Sequence, residues 1–394
     1  MLREIVKVVH VADTHLDPTM RYLGAKEYKR RRDFMKAFEY VVSRVLELKP
    51  DILLISGDLY DRVNPRNPAR TFVMKAFRKI SQEGIKVFAI GGNHDTPRSI
   101  EEGASPLHEI EASGYIRFFS KTNTMEADHY KVGGLDVCIS GASFNHSLPY
   151  EKDPLETLSI PLEGDINIAM LHYNFNPVKT SPIWRAPTIK ETAIPRGLHY
   201  LALGHFHGFR EIKIGDTCVV YPGSTERRTF AEEAEEKGFV YFEICEEGVR
   251  SLERFKTPSR PLKTIEITLT EKDENPIEKV VASALKCADK NVVARLRIQG
   301  RLPLRLLTKY RRELILRRLE EKFFYVVIED RNLGYMSEEV GSNIADILNP
   351  LRLYEEYLER LLKKAEEKRD AETKRILEKA LELGKRFLEE VGVW

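Results

Sequence analysis

The 394-residue sequence has four cysteines, only two glutamines (Gln82 and Gln299), and a formal net charge of only +2. Cys138, Cys218, Cys245 and Cys287 lie far apart and make no CxxC pair. Zinc-knuckle and dithiol-redox signatures are therefore missing, and the thiols fit buried apolar positions in a reducing compartment. The balance of 63 basic against 61 acidic residues argues against a coating, histone-like polycation. It leaves room for a local basic groove. No apolar stretch reaches signal-peptide or membrane-span form, and the opening MLREIVKVVHVADTH carries Arg3, Glu4 and Lys7. The expectation is a cytoplasmic protein without a membrane partner. Few amides beside many Glu, Lys and Arg hint at a thermophilic source.

What is present reads first as alternating strands and helices. Residues 5–12, 51–56 and 85–90 are Val/Ile-rich buried strands, separated by helical spacing over 29–49 and 68–83. Further strands are predicted at 135–141, 166–171, 199–203, 217–221 and 238–244. The fold class expected is α/β, with two packed sheets flanked by helices. Composition changes near Pro258 and Pro261. A βαβαβ pattern follows, with strands at 263–270, 291–299 and 323–330 and helices at 276–289 and 303–321. After Gly334 two amphipathic stripes appear, Leu351, Tyr354, Leu358, Leu361 and Leu362, then Ile376, Leu377, Ala380, Leu381, Phe387, Leu388 and Val391. The charged run 363–375 is expected to join them. The domains read as 1–257, 258–335 and a helical tail at 336–394. The stripes need a cover, either their own domain or a partner helix.

Five short motifs sit at or near predicted strand ends: Asp13-Thr14-His15, Gly57-Asp58-Leu59-Tyr60-Asp61, Gly91-Gly92-Asn93-His94-Asp95, Leu171-His172-Tyr173-Asn174 and Gly204-His205-Phe206-His207. Carboxyl ends of strands are where α/β sheets place ligands. Asp13, His15, Asp58, Asn93, His172, His205 and His207 offer oxygens and imidazole nitrogens without a thiolate. That set suits manganese, iron or zinc better than a calcium cage. Seven side chains exceed one ion with an open position; two ions about 3.5–4 Å apart that share a carboxylate fit the count. Asp58 is assigned as the bridge, Asp13, His15 and His207 to one ion, and Asn93, His172 and His205 to the other. His94 follows a ligand directly and is left as the proton donor to a leaving oxygen. Asp61 is expected to hold His94 in the correct tautomer, and Asp95 to cap its loop.

On these residues the chain resembles the calcineurin-like metallophosphoesterases over roughly residues 5–245. The resemblance implies a two-sheet αββα sandwich with a dinuclear site. VADTHLD, YPGSTERRTF at 221–230 and the turn at Lys237-Gly238 look like the SbcD and meiotic-recombination-eleven nucleases. That narrower resemblance implies a manganese-dependent 3'-5' exonuclease and single-strand endonuclease of double-strand-break repair, with magnesium, iron or zinc as other candidate ions. It also implies DNA as partner, a DNA-capping βαβαβ domain, and a helical tail that grips the coiled coil of an SMC-like ABC ATPase. A homodimer through residues 68–83 and 100–112 is implied too. A phosphatase or small phosphodiesterase on the same scaffold is the alternative, because fold does not fix substrate. Lys26, Lys29, Arg30, Arg31 and Arg32, and separately Arg227 and Arg228, read either as solvated faces or as phosphate contacts.

Overall fold

The computed structural model describes residues 5–178, 185–335, 350–367 and 370–390. Its framework follows from strict side-chain alternation along short apolar strands. The chain runs β1 (Val6–Val11), α1 (Glu27–Leu48), β2 (Ile52–Ser56), α2 (Asn67–Gln82), β3 (Lys86–Ile90), α3 (Leu107–Ala112) and β4 (Arg117–Phe119). Strands β5 (Glu126–Val132), β6 (Leu135–Gly141), β7 (Ile166–His172), β8 (Asn174–Phe175), β9 (Thr188–Ile189), β10 (Tyr200–Gly204), β11 (Arg210–Ile214), β12 (Thr217–Tyr221), β13 (Gly238–Cys245) and β14 (Gly248–Lys256) come next. The rest is β15 (Leu262–Leu269), α4 (Pro276–Leu285), β16 (Val293–Leu302), α5 (Leu304–Leu307), α6 (Arg312–Leu319), β17 (Tyr325–Tyr335), α7 (Pro350–Glu367) and α8 (Ala371–Glu390).

Two six-stranded sheets have the orders β14-β13-β1-β2-β3-β4 and β11-β12-β10-β7-β6-β5. Val6, Val8, Ile52, Leu54, Phe88 and Ile90 of the first sheet pack with Ile139, Ile166, Ile168 and Tyr200 of the second. Their neighbours Val9, Val11, Leu53, Ile55, Val87 and Ala89 point the other way, onto Phe34, Phe38, Val41, Val45 and Phe77 of α1 and α2. Nearly every residue of these strands is buried, as expected for strands covered on both faces. The outer face of the second sheet is covered differently. Leu171, Leu201 and Leu203 meet Phe144, Tyr173 and Ile189 from loops and short elements. No α-helix occurs between Ala112 and Pro276 among the described residues.

Strands β4, β5, β8, β9, β11 and β14 escaped the sequence reading. β5 and β11 alternate or mix exposed positions and lie at sheet edges, so they lack an apolar run. The predicted helix 303–321 is two helices, α5 and α6, parted at 308–311.

The chain packs as two compact units. One comprises 1–267, 280–298 and 312–330; the other comprises 268–279, 299–311 and 331–394. In the first unit, Arg260 forks onto Asp33 of α1 (Nε–Oδ2 2.6 Å, Nη2–Oδ1 2.9 Å). Lys26 donates to the Phe324 carbonyl at 2.6 Å. The strands β15, β16 and β17 form a three-stranded sheet in that order. In the second unit α7 and α8 pair antiparallel, since Glu366 meets Lys374 and Glu355 meets Lys385. Tyr354 donates to the Ala380 carbonyl at 2.6 Å. The run 363–375, expected as a joint, largely belongs to the helices themselves; Val391 lies outside the described residues. No helix of the described residues is long and apolar enough to cross a membrane.

Candidate metal centre

Parallel pairing of β1, β2 and β3, and of β7 and β10, brings their carboxyl ends together. The loops beyond them are tied by backbone bonds: Asp13 N–H to Gly57 O (3.1 Å), His15 N–H to Asp58 O (2.9 Å) and Leu16 N–H to Leu59 O (2.9 Å). Asp13, His15, Asp58 and His205 all have positive φ (53°, 43°, 51° and 92°), a region L-residues rarely occupy. Such strain persists only where surrounding structure holds it, and it collects at functional sites. Gly92 lets its loop close, because a Cβ there would collide with the Asp58 carboxylate.

The donor atoms converge. His15 Nε2 lies 3.0 Å from His207 Nε2, and His207 Nε2 lies 3.8 Å from Asp13 Oδ1. Asn93 Oδ1 lies 3.2 Å from His172 Nε2 and 3.0 Å from His205 Nδ1. The Asp58 carboxylate sits between these groups, with Oδ2 3.4 Å from His172 Nε2 and 3.7 Å from His15 Nε2. All seven sequence-named donors are thus neighbours, and six of them are buried. His172 is oriented by its Nδ1–H, which donates to the Ser56 carbonyl at 2.8 Å and turns Nε2 inward.

The electrostatics of the cluster suit cations. Burial alone would lower His172, but the Asp58 and Asp13 carboxylates beside it push it up to about 9. Burial and the Asp58 carboxylate raise the Asp13 carboxyl, whereas the histidines around Asp58 outweigh burial and hold it well below the usual range. Burial drives His15 down to about 3 and His205 well below its ordinary value. Two enclosed carboxylates among converging imidazole nitrogens call for positive charge, which the donor set would hold as metal.

His94 differs from these donors. Its Nδ1 lies 3.1 Å from the Asp61 carbonyl oxygen, and its Nε2 3.3 Å from Arg228 Nη1. Both ring nitrogens therefore have partners, although His94 borders the Asp58–His15 group. Asp61 meets His94 with two groups. Its backbone carbonyl is the near neighbour of His94, and its carboxylate oxygen is 3.7 Å away. That carboxylate lies closer to Arg228 (3.0 Å) and to His15 Nδ1 (3.4 Å), so three basic groups share it. His15 and Arg228 outweigh burial and lower its pKa. Asp95 caps its loop: it accepts from Gly92 N (2.7 Å) and Tyr60 N (3.2 Å), and burial with Asp58 nearby pushes it up to about 8.

A cavity of about 370 Å³ opens in front of the cluster, lined by Asp58, His94, Arg185, His205, His207 and Arg228 among others. Arg228 thus faces the cavity in front of the donors. Arg30 does not: it is buried, paired with Glu226 at 3.1 Å and Asp33 at 3.2 Å, and bonded to the Arg227 carbonyl. Sequence reasoning passed over Glu232, buried 3.2 Å from His207 Nδ1. Burial would raise Glu232, but His207 and Lys237 hold it well below its ordinary value. A buried-glutamate signal was faintly present in the Thr229-x-x-Glu232 spacing, which forms a capping box.

Residues 6–209, which include every donor named above, match the family model described as calcineurin-like phosphoesterase. The chain is 28% identical over 297 residues to the DNA double-strand break repair protein Mre11 of Methanocaldococcus jannaschii, covering 72% of this chain and 75% of that protein. It is 30% identical to the protein of the same name from Methanosarcina mazei, covering 72% and 43%. The Aeropyrum pernix protein of that name is 29% identical, covering 67% and 64%. The chain therefore spans less than two thirds of the M. mazei and A. pernix relatives. With the convergent donors inside a family match over about half of the sequence, the chain belongs to the calcineurin-like phosphoesterases and is similar to the Mre11 proteins among them.

Proposed function

We propose that the chain is a two-metal DNA nuclease of double-strand-break repair, with manganese as the preferred ion. The observation that carries this reading is the Asp58 carboxylate lying between two groups of buried donors. Asp13, His15 and His207 would hold one ion, Asn93, His172 and His205 the other, and Asp58 both. Held there, the ions would supply charge neutralisation at the phosphate oxygens and an activated water. The relatives named for double-strand break repair support DNA as the substrate.

His94 and Arg228 act on the phosphodiester from the chain's own side. The Asp61 carbonyl accepts a hydrogen bond from His94 Nδ1–H and fixes the ring, while Arg228 covers Nε2. An incoming phosphate draws the guanidinium onto its non-bridging oxygens, a pairing that suits the planar fork of arginine. Nε2 is then free to take up a proton from water and deliver it to the departing sugar oxygen. The α7–α8 pair exposes Tyr357, Ile376 and Leu383, which supports docking on the coiled coil of an SMC-like ABC ATPase. The same reading includes a homodimer through α2 and its neighbours, at work in the cytoplasm.

End-labelled duplex and hairpin DNA, incubated with the chain and manganese, magnesium or EDTA, tests the proposal. Cleavage lost in EDTA and restored by manganese is expected. Turnover of an aryl phosphate diester without any cut DNA would move the assignment to a small-molecule phosphodiesterase.

A further inference from the structure

Lys237 is buried, and its ammonium has two partners within one small volume. Nζ lies 2.6 Å from Glu232 Oε2 and donates to the His207 carbonyl at 3.0 Å. The other carboxylate oxygen, Glu232 Oε1, lies 3.2 Å from His207 Nδ1. Glu232 is itself held, since it accepts from Thr229 N at 3.1 Å and Arg228 N at 3.3 Å. The His207 carbonyl also accepts from Ser224 N at 3.1 Å. Both the backbone and the ring of His207 are thereby fixed by one lysine–glutamate pair.

We propose that Glu232 and Lys237 form the positioning pair of the metal centre, holding His207 as its Nδ1–H tautomer so that the Nε2 lone pair faces the ion shared with Asp13 and His15. This deepens the two-metal reading and rests on it. A carboxylate behind a ligating imidazole fixes the tautomer and raises the ligand's basicity. The buried ammonium serves the same end: without it, the glutamate would carry its charge into a low-dielectric interior and compete for the ring's proton. His172 reaches the same state by a different route, through the Ser56 carbonyl. One ion is thus backed by a charged pair, and the other by a neutral carbonyl.

The test uses Glu232→Met/Lys237→Met in the full chain, a swap that removes both charges and keeps the volume filled, which buried pairs often tolerate. Manganese titration calorimetry is read beside a histidine-selective 15N spectrum. The wild type is expected to bind two ions per chain. The double variant is expected to keep one at its original affinity and to bind the other about 10–100-fold more weakly, with the His207 Nδ1–H signal lost. Glu232→Gln, which keeps an acceptor oxygen, is expected to restore much of both. Two ions bound at wild-type affinity by the double variant, with the His207 signal unchanged, would overturn the proposal. If the wild type binds fewer than two ions, the two-metal reading fails. The ring spectrum then decides alone: a lost Nδ1–H signal keeps the hold of Glu232 on His207, and an unchanged one removes it.

Discussion

Two carboxylate–ammonium contacts of nearly equal length occur in different regions of the molecule. Glu232 and Lys237 meet at 2.6 Å with side chains only 3% and 0% exposed, whereas Glu366 and Lys374 meet at 2.7 Å with 55% and 41% exposed. The length of the contact says nothing about its weight. In the first region every charge has left water, so each must be answered by another group, and losing one strands its partner. In the helical pair, water answers each charge already and salt screens the rest. Charged chemistry is therefore fixed in place behind β1, β2, β3, β7 and β10, while the same residue types on α7 and α8 keep a surface wet.

The sharpest way to break that contrast is at the cavity. His94→Ala is expected to lower DNA cleavage by about 10²–10⁴-fold, the usual worth of a positioned proton donor, with manganese stoichiometry unchanged by calorimetry. Loss of an ion from this variant would make His94 a ligand instead. Next comes the buried pair: Lys237→Ala should cost about 3–5 kcal/mol in urea unfolding, because Glu232 then stays enclosed without its ammonium. A shift no larger than that of a surface variant would erase the distinction drawn here.

Acidification probes buried groups apart from exposed ones. Burial pushes His10, which faces the Tyr200 hydroxyl at 3.0 Å, down to about 3. Between pH 3 and 6.5 the unfolded chain takes up a proton that the folded chain refuses, so stability falls as pH drops through that window. His10→Gln should move the acid-unfolding midpoint to lower pH, as followed by circular dichroism. The helical pair contains no histidine, and although Lys374 lowers Glu366, both side chains are exposed and solvent screens that contribution. The smallest expected effect is Glu366→Gln, which should leave the melting temperature within error of wild type. A clear drop would mean that water does not answer that charge.

Much of the first unit could be read from residues in order. Val6 to Val11, Ile52 to Ser56 and Lys86 to Ile90 are short apolar runs that end in Asp or in Gly-x motifs, and both signals are local. Asp13, Asp58, Asn93, His172, His205 and His207 stood out for the same reason. The roles of Glu232 and Lys237 did not: Lys237 reads only as part of a turn and Glu232 only as a cap, and local sequence does not show that the chain folds the lysine back onto His207, thirty residues away. Arg228 was readable two ways, and only the cavity chooses between them. The Asp61 carbonyl could not be foreseen, since a sequence names side chains and the contact is made by backbone. Edge strands β5 and β11 were lost for the opposite reason: their register is set by a neighbour, and their own residues are too mixed to announce it.

Anomalous diffraction at the manganese absorption edge, from crystals of the full chain grown with the ion, tests the central claim most directly. Two peaks are expected on either side of the Asp58 carboxylate, one bordered by Asp13, His15 and His207 and the other by Asn93, His172 and His205. A single peak, or a pair that leaves Asp58 uncoordinated, would contradict the account.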